Sequence, residues 1–422
     1  MTAQSPWRDE AAVVIVGGGV IGSSIAYHLC VAGVTDVLVL ERNELSSGAT
    51  ARSAGLLSHA RSDRNVTRMI SRTRRTIGEL EERIGEPLDF RHVGVIRAVH
   101  SSEREQEMLA MEACLVAEGI EPEPIDRHVA RSLCPWLDLA EASRIIFVPS
   151  DGYIDGARLG TAYARAARTL GARMRRGVDV TGAIIQDGMP VGVDTSLGAI
   201  RCGTLVQACG AWSVQFAETV GFAFPAAPTR SHYWMTAPDG NGAPERPNVQ
   251  LPDFRAYFRS EVGGLLVGLQ EPRSRTYDPQ EIGSDMEEAP LYEEGNDMEL
   301  LLAQAGALRP AVPQVDEWRF AHHIAGLSMY TPDGKFVLGR VESVPNFLVA
   351  GGCCGSGVAA SGGIGHTIAA LATGGEPEID LGPFRAGRFG SVDPRSETFR
   401  ERCSAARSGK SRGRPDPVGV RE

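Results

Sequence analysis

The residues whose chemistry is easiest to interpret form a glycine-rich turn near the amino terminus, Gly17-Gly18-Gly19-Val20-Ile21-Gly22. In such a turn the first glycine permits a tight bend, Gly19 lets the backbone approach a pyrophosphate, and Gly22 allows close contact between helix and strand. Glu41 follows about 20 residues further on, where a carboxylate can bind ribose hydroxyls. The spacing predicts a dinucleotide site and disfavours a 2′-phosphate. The alternative is a glycine-rich turn without a ligand.

A second segment, residues 47–56 (SGATARSAGL), places small and hydroxyl-bearing residues soon after Glu41. A nicotinamide enzyme would normally continue here into its next βαβ unit. This composition instead suits a segment that runs along a diphosphate and the face of a flat ring, so it favours FAD over NAD. The predicted cofactor residues in this half of the site are Gly17, Gly19, Val20, Ile21, Gly22, Glu41, Arg42, Gly48, Ala49, Thr50, Arg52, Ser53, Ala54, Gly55 and Leu56.

The elements that must position these residues follow from hydrophobic periodicity. Residues 12–16 and 37–40 are short apolar runs typical of strands buried on both faces, and residues 20–32 between them have helical spacing. Strand, helix and strand within about 30 residues indicate a βαβ crossover. Later patterns predict helices over 64–84, 103–118, 157–170, 298–308 and 357–373, and strands over 90–99, 178–185, 205–208, within 230–269, 336–338 and 347–350.

Three later segments, in this order, complete a pattern. Residues 205–212 (LVQACGAW) look like a strand and turn that return to a cofactor, and 330–339 (YTPDGKFVLG) and 346–357 look like its last contacts. Over residues 13–374 the chain resembles the D-amino-acid oxidase-like family of amine-oxidising flavoproteins. That family includes glycine oxidase, sarcosine oxidase and the sarcosine and dimethylglycine dehydrogenases. The resemblance adds the cofactor residues Val180, Ala208, Gly210, Trp212, Gly352, Gly355, Ser356, Gly357 and Val358.

The amino-terminal part is most similar to the sarcosine and dimethylglycine dehydrogenase branch, which attaches FAD covalently through a histidine in a T-W-H-A-type sequence. The matching position here is Arg52, in Thr50-Ala51-Arg52-Ser53. No bond can form through that residue, so we expect non-covalent FAD. A thioether link through Cys353 or Cys354 is the alternative to small residues that pack the turn. The chain has no room for the folate-binding module of that branch, so we expect no coupling to tetrahydrofolate.

The resemblance also points to residues that hold the substrate. Family members bind a substrate carboxylate with an arginine and a tyrosine from the antiparallel domain. Tyr257 and Arg259 lie two apart on a predicted strand and share a face, and an arginine fork matches a carboxylate. The alternative is an Arg/Tyr pair on a solvated face.

The segment just before residues 331–334 (TPDG) supplies two further catalytic candidates, His323 and Tyr330. A histidine here, either His323 or its neighbour His322, could deprotonate the ammonium or orient the substrate. A structural, hydrogen-bonded histidine is the alternative. Other candidates near the flavin or the cavity are His59, Arg52, His232 and Trp234, of which the last two could equally pack between strands.

These patterns predict an α/β fold: a Rossmann-type FAD-binding domain interleaved with an α+β substrate domain built on an antiparallel sheet. We expect the FAD-binding domain over residues 10–88, 150–225 and 326–380, and the substrate domain over 89–149 and 226–325. Residues 381–422 are polar and are expected to form a partly disordered tail.

Composition limits the partners. A formal net charge of −10 argues against nucleic acid, since phosphate binding needs a basic face. Eight cysteines without C-x-x-C or zinc spacing predict buried thiols in a reducing cytoplasm, and no metal site. The amino terminus does not resemble a signal peptide, and no apolar run is long enough to predict a membrane span.

The favoured function is FAD-dependent oxidation of a small secondary or tertiary amine or amino acid, such as an N-alkyl glycine, glycine or a D-amino acid. Hydride transfer to flavin N5 would give an imine that hydrolyses, with oxygen or an electron-acceptor protein as oxidant. One alternative is a flavoprotein subunit of a multi-chain amine dehydrogenase or oxidase, and another is an NAD-binding dehydrogenase. The sequence leaves the oligomeric state open.

Overall fold

The structure, a computed structural model, describes residues 9–409 of the chain. Within that range the α-helices are α1 Val20–Val31, α2 Arg64–Ile84, α3 Ser102–Ala117, α4 Arg127–Leu133, α5 Gly156–Thr169, α6 Ser213–Thr219, α7 Glu294–Leu308, α8 Gly357–Ala372 and α9 Glu397–Ser408. None of these described helices combines the length and the apolar character that a membrane crossing requires.

The first large sheet is mainly parallel. Its strands are β1 Glu10–Val16, β2 Val37–Glu41, β8 Arg173–Arg176, β9 Val180–Gln186, β10 Met189–Thr195, β11 Gly198–Gln207, β17 Val337–Arg340 and β18 Phe347–Gly351. The order β17-β18-β11-β1-β2-β8 keeps β18, β11, β1, β2 and β8 parallel, while β17, β10 and β9 pair antiparallel. The carboxyl ends of β1, β2 and β11 therefore meet at one edge.

The second large sheet is mainly antiparallel. Its strands are β4 Val95–Val99, β5 Glu123–Pro124, β6 Arg144–Val148, β12 Ala227–Thr236, β13 Asn248–Leu251, β14 Ala256–Glu261, β15 Gly264–Leu269 and β16 Phe320–Tyr330. The order is β16-β12-β15-β14-β13-β4-β6-β5, with β13 and β4 parallel. A small third sheet pairs β3 Leu56–Leu57 with β7 Gly152–Tyr153.

The sequence patterns explain the parallel sheet. The inner residues of β1 and β2 are almost all buried because helices cover one face and a second apolar cluster covers the other. Glycines let α8 approach its neighbours: a Cβ on Gly363 would collide with the Met69 backbone of α2, and one on Gly365 with Ser24 of α1. The expected α/β fold class, with the βαβ crossover β1-α1-β2, is confirmed.

One predicted strand is shorter in the structure, and one irregular segment is partly buried. The strand expected over 90–99 begins only at Val95, because Gly94 has φ of 75° and a Cβ there would collide with the Phe147 ring. Residues 278–293, which precede α7, contain no α-helix or strand, but this segment is not exposed throughout. Ile282 and Leu291 are buried within it, and they pack in an apolar cluster.

The first part of the expected polar tail is ordered in the structure. Residues 382–384 and 386–389 form 3₁₀ turns, and α9 follows, with Phe399 and Cys403 buried against Tyr330. Phe399, Cys403 and Arg407 are four residues apart and share one helix face, a period that the high polarity of the segment conceals. The expectation of disorder for residues 410–422 falls outside the described range.

Candidate functional site

A single large cavity of about 2520 Å³ has walls from both large sheets. One wall comprises the carboxyl ends of β1, β2 and β11 together with the start of α8. The other comprises residues of β12, β13, β14 and β16. A volume well above the 300–1,000 Å³ of usual small-ligand pockets fits a dinucleotide together with a second molecule.

The glycine turn after β1 has the geometry that a pyrophosphate site needs. Gly17 has φ of 103°, and a Cβ there would collide with the Ala208 carbonyl oxygen. Gly22 lies behind the cavity wall, where a Cβ would collide with the Gly17 carbonyl oxygen, so it serves helix–strand packing. α1 starts after Gly19 with no side chain of its own as cap, and Val20 N donates to Thr50 Oγ1 at 3.1 Å. The helix amino terminus thus faces the cavity.

Glu41 is the last residue of β2, and a hydrogen bond from the glycine turn orients its carboxylate. Gly18 N donates to Glu41 Oε2 at 2.8 Å and Asn43 N donates to Oε1 at 2.8 Å. Gly18 was not among the predicted site residues, although it belongs to the predicted motif. The neighbouring Arg42 stacks on Trp212, with 4.8 Å from its guanidinium carbon to the ring centroid.

The segment 47–56 lines the cavity as predicted. Ser46 N donates to Gly18 O at 3.1 Å, which joins this segment to the glycine turn. Gly55 approaches β7 so closely that a Cβ would collide with Ile154 O. Arg52 donates from Nη1 to Ser47 O at 2.9 Å and lies 3.8 Å from Glu287, so its guanidinium is held in the wall.

The late glycine turn lies between β18 and α8. Gly352 and Gly355 have φ of 57° and 70°, and Cys354 between them has φ of 47°. A Cβ on Gly352 would come within 3.0 Å of Thr331, so only glycine fits there without displacement. Burial raises the pKa of the Cys353 thiol in this turn to about 12, with a smaller effect of Cys354.

The cavity therefore brings together nearly all the predicted cofactor residues. Gly22 is the exception. The others line one continuous surface: Gly17, Gly19, Val20, Ile21, Glu41, Arg42, Gly48, Ala49, Thr50, Arg52, Ser53, Ala54, Gly55, Leu56, Val180, Ala208, Gly210, Trp212, Gly352, Gly355, Ser356, Gly357 and Val358.

Of the four predicted catalytic residues, Tyr257 and Tyr330 lie on the cavity wall. Tyr257 lies over Gly268 of the neighbouring strand, where a Cβ would collide with its ring. Tyr330, the last residue of β16, is only 1% exposed. Burial raises the pKa of both hydroxyls, so both remain neutral donors at physiological pH.

Arg259 is not placed as a free carboxylate ligand. Its Nε donates to Ala54 O at 2.7 Å, Nη1 donates to Ser260 O at 2.9 Å, and Nη2 lies 2.7 Å from Glu261. The guanidinium does not line the cavity. Because the contact to Ala54 fixes the segment 47–56, the position of Arg259 supports a structural role.

His323 also lies behind the wall. Its ring stacks on Trp234 at 4.5 Å and its Nε2 is 3.2 Å from His232 Nδ1. His232 itself lines the cavity, and burial lowers its pKa to about 2, with Arg230, His323 and Arg407 adding to the effect. A direct catalytic role of His323 therefore has no support from its position. His59 is likewise behind the wall, with Nδ1 2.6 Å from Asp151.

Sequence reasoning missed several arginines on the cavity wall, among them Arg61, Arg97 and Arg407. Arg61 follows β3, Arg97 is the central residue of β4, and Arg407 lies in the last turn of α9. A sequence signal exists for Arg97, a charge in the middle of the apolar run Val95-Ile96-Arg97-Ala98-Val99. The other two needed the tertiary structure, since nothing local places them on the cavity wall.

Comparisons with known proteins identify the family of this chain. A family model described as FAD dependent oxidoreductase matches residues 12–371. The chain is 29% identical over 388 residues to 4-methylaminobutanoate oxidase (formaldehyde-forming) of Paenarthrobacter nicotinovorans, which covers 92% of the chain and 47% of that protein. It is 25% identical over 394 residues to sarcosine oxidase subunit beta of Rhizobium meliloti (strain 1021), which covers 89% and 88%.

The chain spans about half the length of the first curated relatives it matches. Among solved structures, L-proline dehydrogenase from P. horikoshii is 24% identical to this protein and superposes with a TM-score of 0.80. The match covers 91% of the present chain and 98% of the L-proline dehydrogenase chain. At this identity the likeness supports the fold.

Proposed function

Because this chain belongs to the FAD dependent oxidoreductase family, we propose that it oxidises the C–N bond of a small amine with an acidic group, either a secondary or tertiary amine or an amino acid. N-alkyl glycines, glycine and D-amino acids are the substrate classes. The observation that carries the proposal is one cavity in which a dinucleotide-binding wall faces a wall that bears arginines and tyrosines. The relatives named for N-methyl amines and sarcosine support it.

The cofactor fits the residues present. Gly17 packs against the Ala208 carbonyl and Gly352 against Thr331 so closely that a Cβ would collide there, so the bare backbone of both turns forms the cavity wall. Gly19–Val20 and Glu41 would hold the pyrophosphate and the ribose, and segment 47–56 the remaining length of FAD. The family membership disfavours the NAD alternative.

Bound FAD supplies the acceptor for the two electrons and the hydrogen of the carbon beside the amine nitrogen. Water then splits the imine product into an amine and a carbonyl compound. The chain's own contribution is to bind and orient the substrate. Neutral Tyr257 and Tyr330 can donate hydrogen bonds, the arginines can bind an acidic group, and the amino terminus of α8 adds a positive potential at the wall.

His232 is the histidine on the cavity wall, but its lowered pKa leaves it too weak a base to take a proton from an ammonium group. Its Nε2 is buried without a hydrogen-bond partner in the structure. Its low pKa keeps it unprotonated, but makes it a weak base. We therefore propose that the substrate binds as the neutral amine and that no strong side-chain base is needed.

A second candidate is a flavoprotein subunit that passes electrons to a partner chain, favoured by the 88% coverage of sarcosine oxidase subunit beta. Oxygen consumption by the isolated chain would support direct use of oxygen. Turnover that appears only with an artificial electron acceptor would support the subunit. We also propose a cytoplasmic location, supported by the lack of disulfide bonds among the cysteines of the described part of the chain.

A panel of amines tests the proposal. The FAD-loaded protein is mixed anaerobically with sarcosine, dimethylglycine, glycine, D-alanine, proline and iminodiacetate, and bleaching of the visible flavin absorbance is followed. We expect bleaching by at least one amino acid, and slower bleaching by the matching amine without a carboxylate, such as dimethylamine for sarcosine. Bleaching by 2-hydroxy acids and by none of the amines would contradict the proposal.

A further inference from the structure

Three guanidinium groups on the cavity wall, of which Arg407 is buried and Arg61 and Arg97 are half-buried, have no carboxylate partner in the described part of the chain. Most other cavity arginines are paired: Arg42 with Asp179, Arg52 with Glu287, Arg64 with Glu118, Arg104 with Glu107 and Arg388 with Asp333. Within residues 9–409, no carboxylate lies within ion-pair distance of Arg61, Arg97 or Arg407. Each also keeps one buried nitrogen without a hydrogen-bond partner, Nε of Arg61, Nε of Arg97 and Nη1 of Arg407.

The acids near these arginines are committed elsewhere. Asp151 accepts hydrogen bonds from His59 N and pairs with His59 Nδ1 at 2.6 Å. Glu107 pairs with Arg104, and Asp253 accepts from the backbone N–H groups of residues 100 and 101. Buried charges are normally paired, because desolvation of an isolated charge is costly. An anionic ligand would supply the missing partners.

The three arginines form two groups. Arg97 donates from Nη1 to Gln250 Oε1 at 2.7 Å, and burial first, then Arg61 and Arg104, lowers its pKa to about 10. Arg61 and Arg97 are therefore close enough to repel each other. Arg407 reaches the cavity from α9, where its Nε donates to Ser231 Oγ at 3.3 Å and its guanidinium lies 5.6 Å from the Tyr330 ring centroid.

One carboxylate is satisfied by a single arginine fork. A substrate with one carboxylate would leave the other arginine position without a counter-charge and with a buried nitrogen that has no hydrogen-bond partner. We propose that the cavity takes a small amine with two carboxylates, one bound by Arg61 and Arg97 and the other by Arg407. Iminodiacetate, a secondary amine with a carboxylate on each arm, is the simplest member of this class. The inference rests on the proposed function and narrows its substrate.

Oxidation of such a substrate balances with the cofactor alone. The carbon beside the amine nitrogen loses a hydride, which carries both electrons to bound FAD, and the nitrogen loses a proton. Water adds to the resulting imine and breaks the C–N bond, which for iminodiacetate gives glycine and glyoxylate.

Matched non-oxidisable ligands separate binding from turnover. Glutarate is the carbon isostere of iminodiacetate, and butyrate is that of sarcosine, so the pair differs by one carboxylate. Dissociation constants are measured on the FAD-loaded protein by perturbation of the flavin spectrum and by thermal shift. We expect glutarate to bind at least about tenfold more tightly than butyrate, as a hydrogen-bonded charge pair predicts. Equal affinities of the unchanged protein for glutarate and butyrate would overturn the inference.

Variants assign the two sites. Arg407→Gln and Arg97→Gln should each raise the dissociation constant of glutarate by about tenfold or more. The dissociation constant of butyrate, which needs only one of the two sites, should change by less than about threefold. Arg395→Gln, whose guanidinium pairs with Glu218 just before α9, is the matched control and should change neither. Equal weakening of both ligands by the cavity variants would overturn the assignment and indicate a structural role.

Turnover distinguishes this inference from the proposed function. If glutarate binding follows the pattern above but no amine bleaches the flavin, amine oxidation fails and the dicarboxylate site stands. If sarcosine bleaches the flavin efficiently and glutarate shows no preference, amine oxidation stands and the dicarboxylate site fails.

Discussion

At the scale of single residues, the site depends on what each side chain contacts rather than on its type. Arg259 and Arg407 are both arginines near the cavity, and the sequence favoured the first because it shares a strand face with Tyr257. In the structure Arg259 forms an ion pair with Glu261, whereas Arg407 reaches the cavity from a helix far along the chain. Periodicity located Arg259 but could not reveal its partner.

Glu41 gives a prediction at this scale. Glu41→Ala removes the acceptor for Gly18 N and the proposed ribose ligand, so FAD should bind about 10- to 100-fold more weakly, as expected for a lost charged hydrogen bond. Titration of apoprotein with FAD, followed by quenching of flavin fluorescence, measures the change. Glu10→Ala, at the exposed start of β1, is the control and should leave FAD affinity unchanged. Full FAD affinity in the Glu41→Ala variant would remove Glu41 from the site.

At the scale of elements, the most demanding packing is that of α8. Its glycines let α1 and α2 approach it closely, and the same helix begins at the cavity wall, so packing and cofactor binding share one element. The sequence predicted this helix over residues 357–373. Which neighbours its glycines meet depends on contacts with residues far away along the chain, which no local pattern encodes.

The substitution Gly363→Ala tests this packing. Its Cβ would collide with the Met69 backbone, so the free energy of unfolding should fall by about 1–3 kcal/mol, the usual cost of overpacking. Gly78→Ala, in the exposed middle of α2 with open space around its Cβ, is the matched control. It should raise the free energy of unfolding by about 0.5–1 kcal/mol. Urea denaturation of the FAD-saturated proteins measures both, and equal effects would contradict the close helix contact.

At the scale of the whole molecule, the two large sheets share one cavity, so the cofactor wall and the substrate wall come from interleaved parts of the chain. Helix α9 adds to this: it lies beyond the family match at residue 371, and yet its Arg407 faces the same cavity. The polar tail predicted from composition therefore contributes to the site through its first part.

The attachment of FAD is a property of the whole site, and we predict that it is non-covalent. Arg52 offers no nucleophile at the position of the covalent histidine, and the raised pKa of Cys353 keeps its thiol protonated. Acid precipitation should therefore leave the flavin absorbance in the supernatant, both in the unchanged protein and in Cys353→Ser. A yellow precipitate that becomes colourless in Cys353→Ser would establish the thioether instead.

The sequence by itself determined the class of fold and the cofactor, and it located most of the residues that we propose to hold that cofactor. Glycine turns, the end of a buried strand and a helix amino terminus are local features. Gly17, Glu41 and Gly352 can therefore be recognised from the residues next to them in sequence. Only the tertiary structure decided the substrate wall. The charge balance of Arg61, Arg97, Arg259 and Arg407 depends on side chains brought together from distant segments, and burial, which sets the energy of each charge, is not a property of neighbours in sequence.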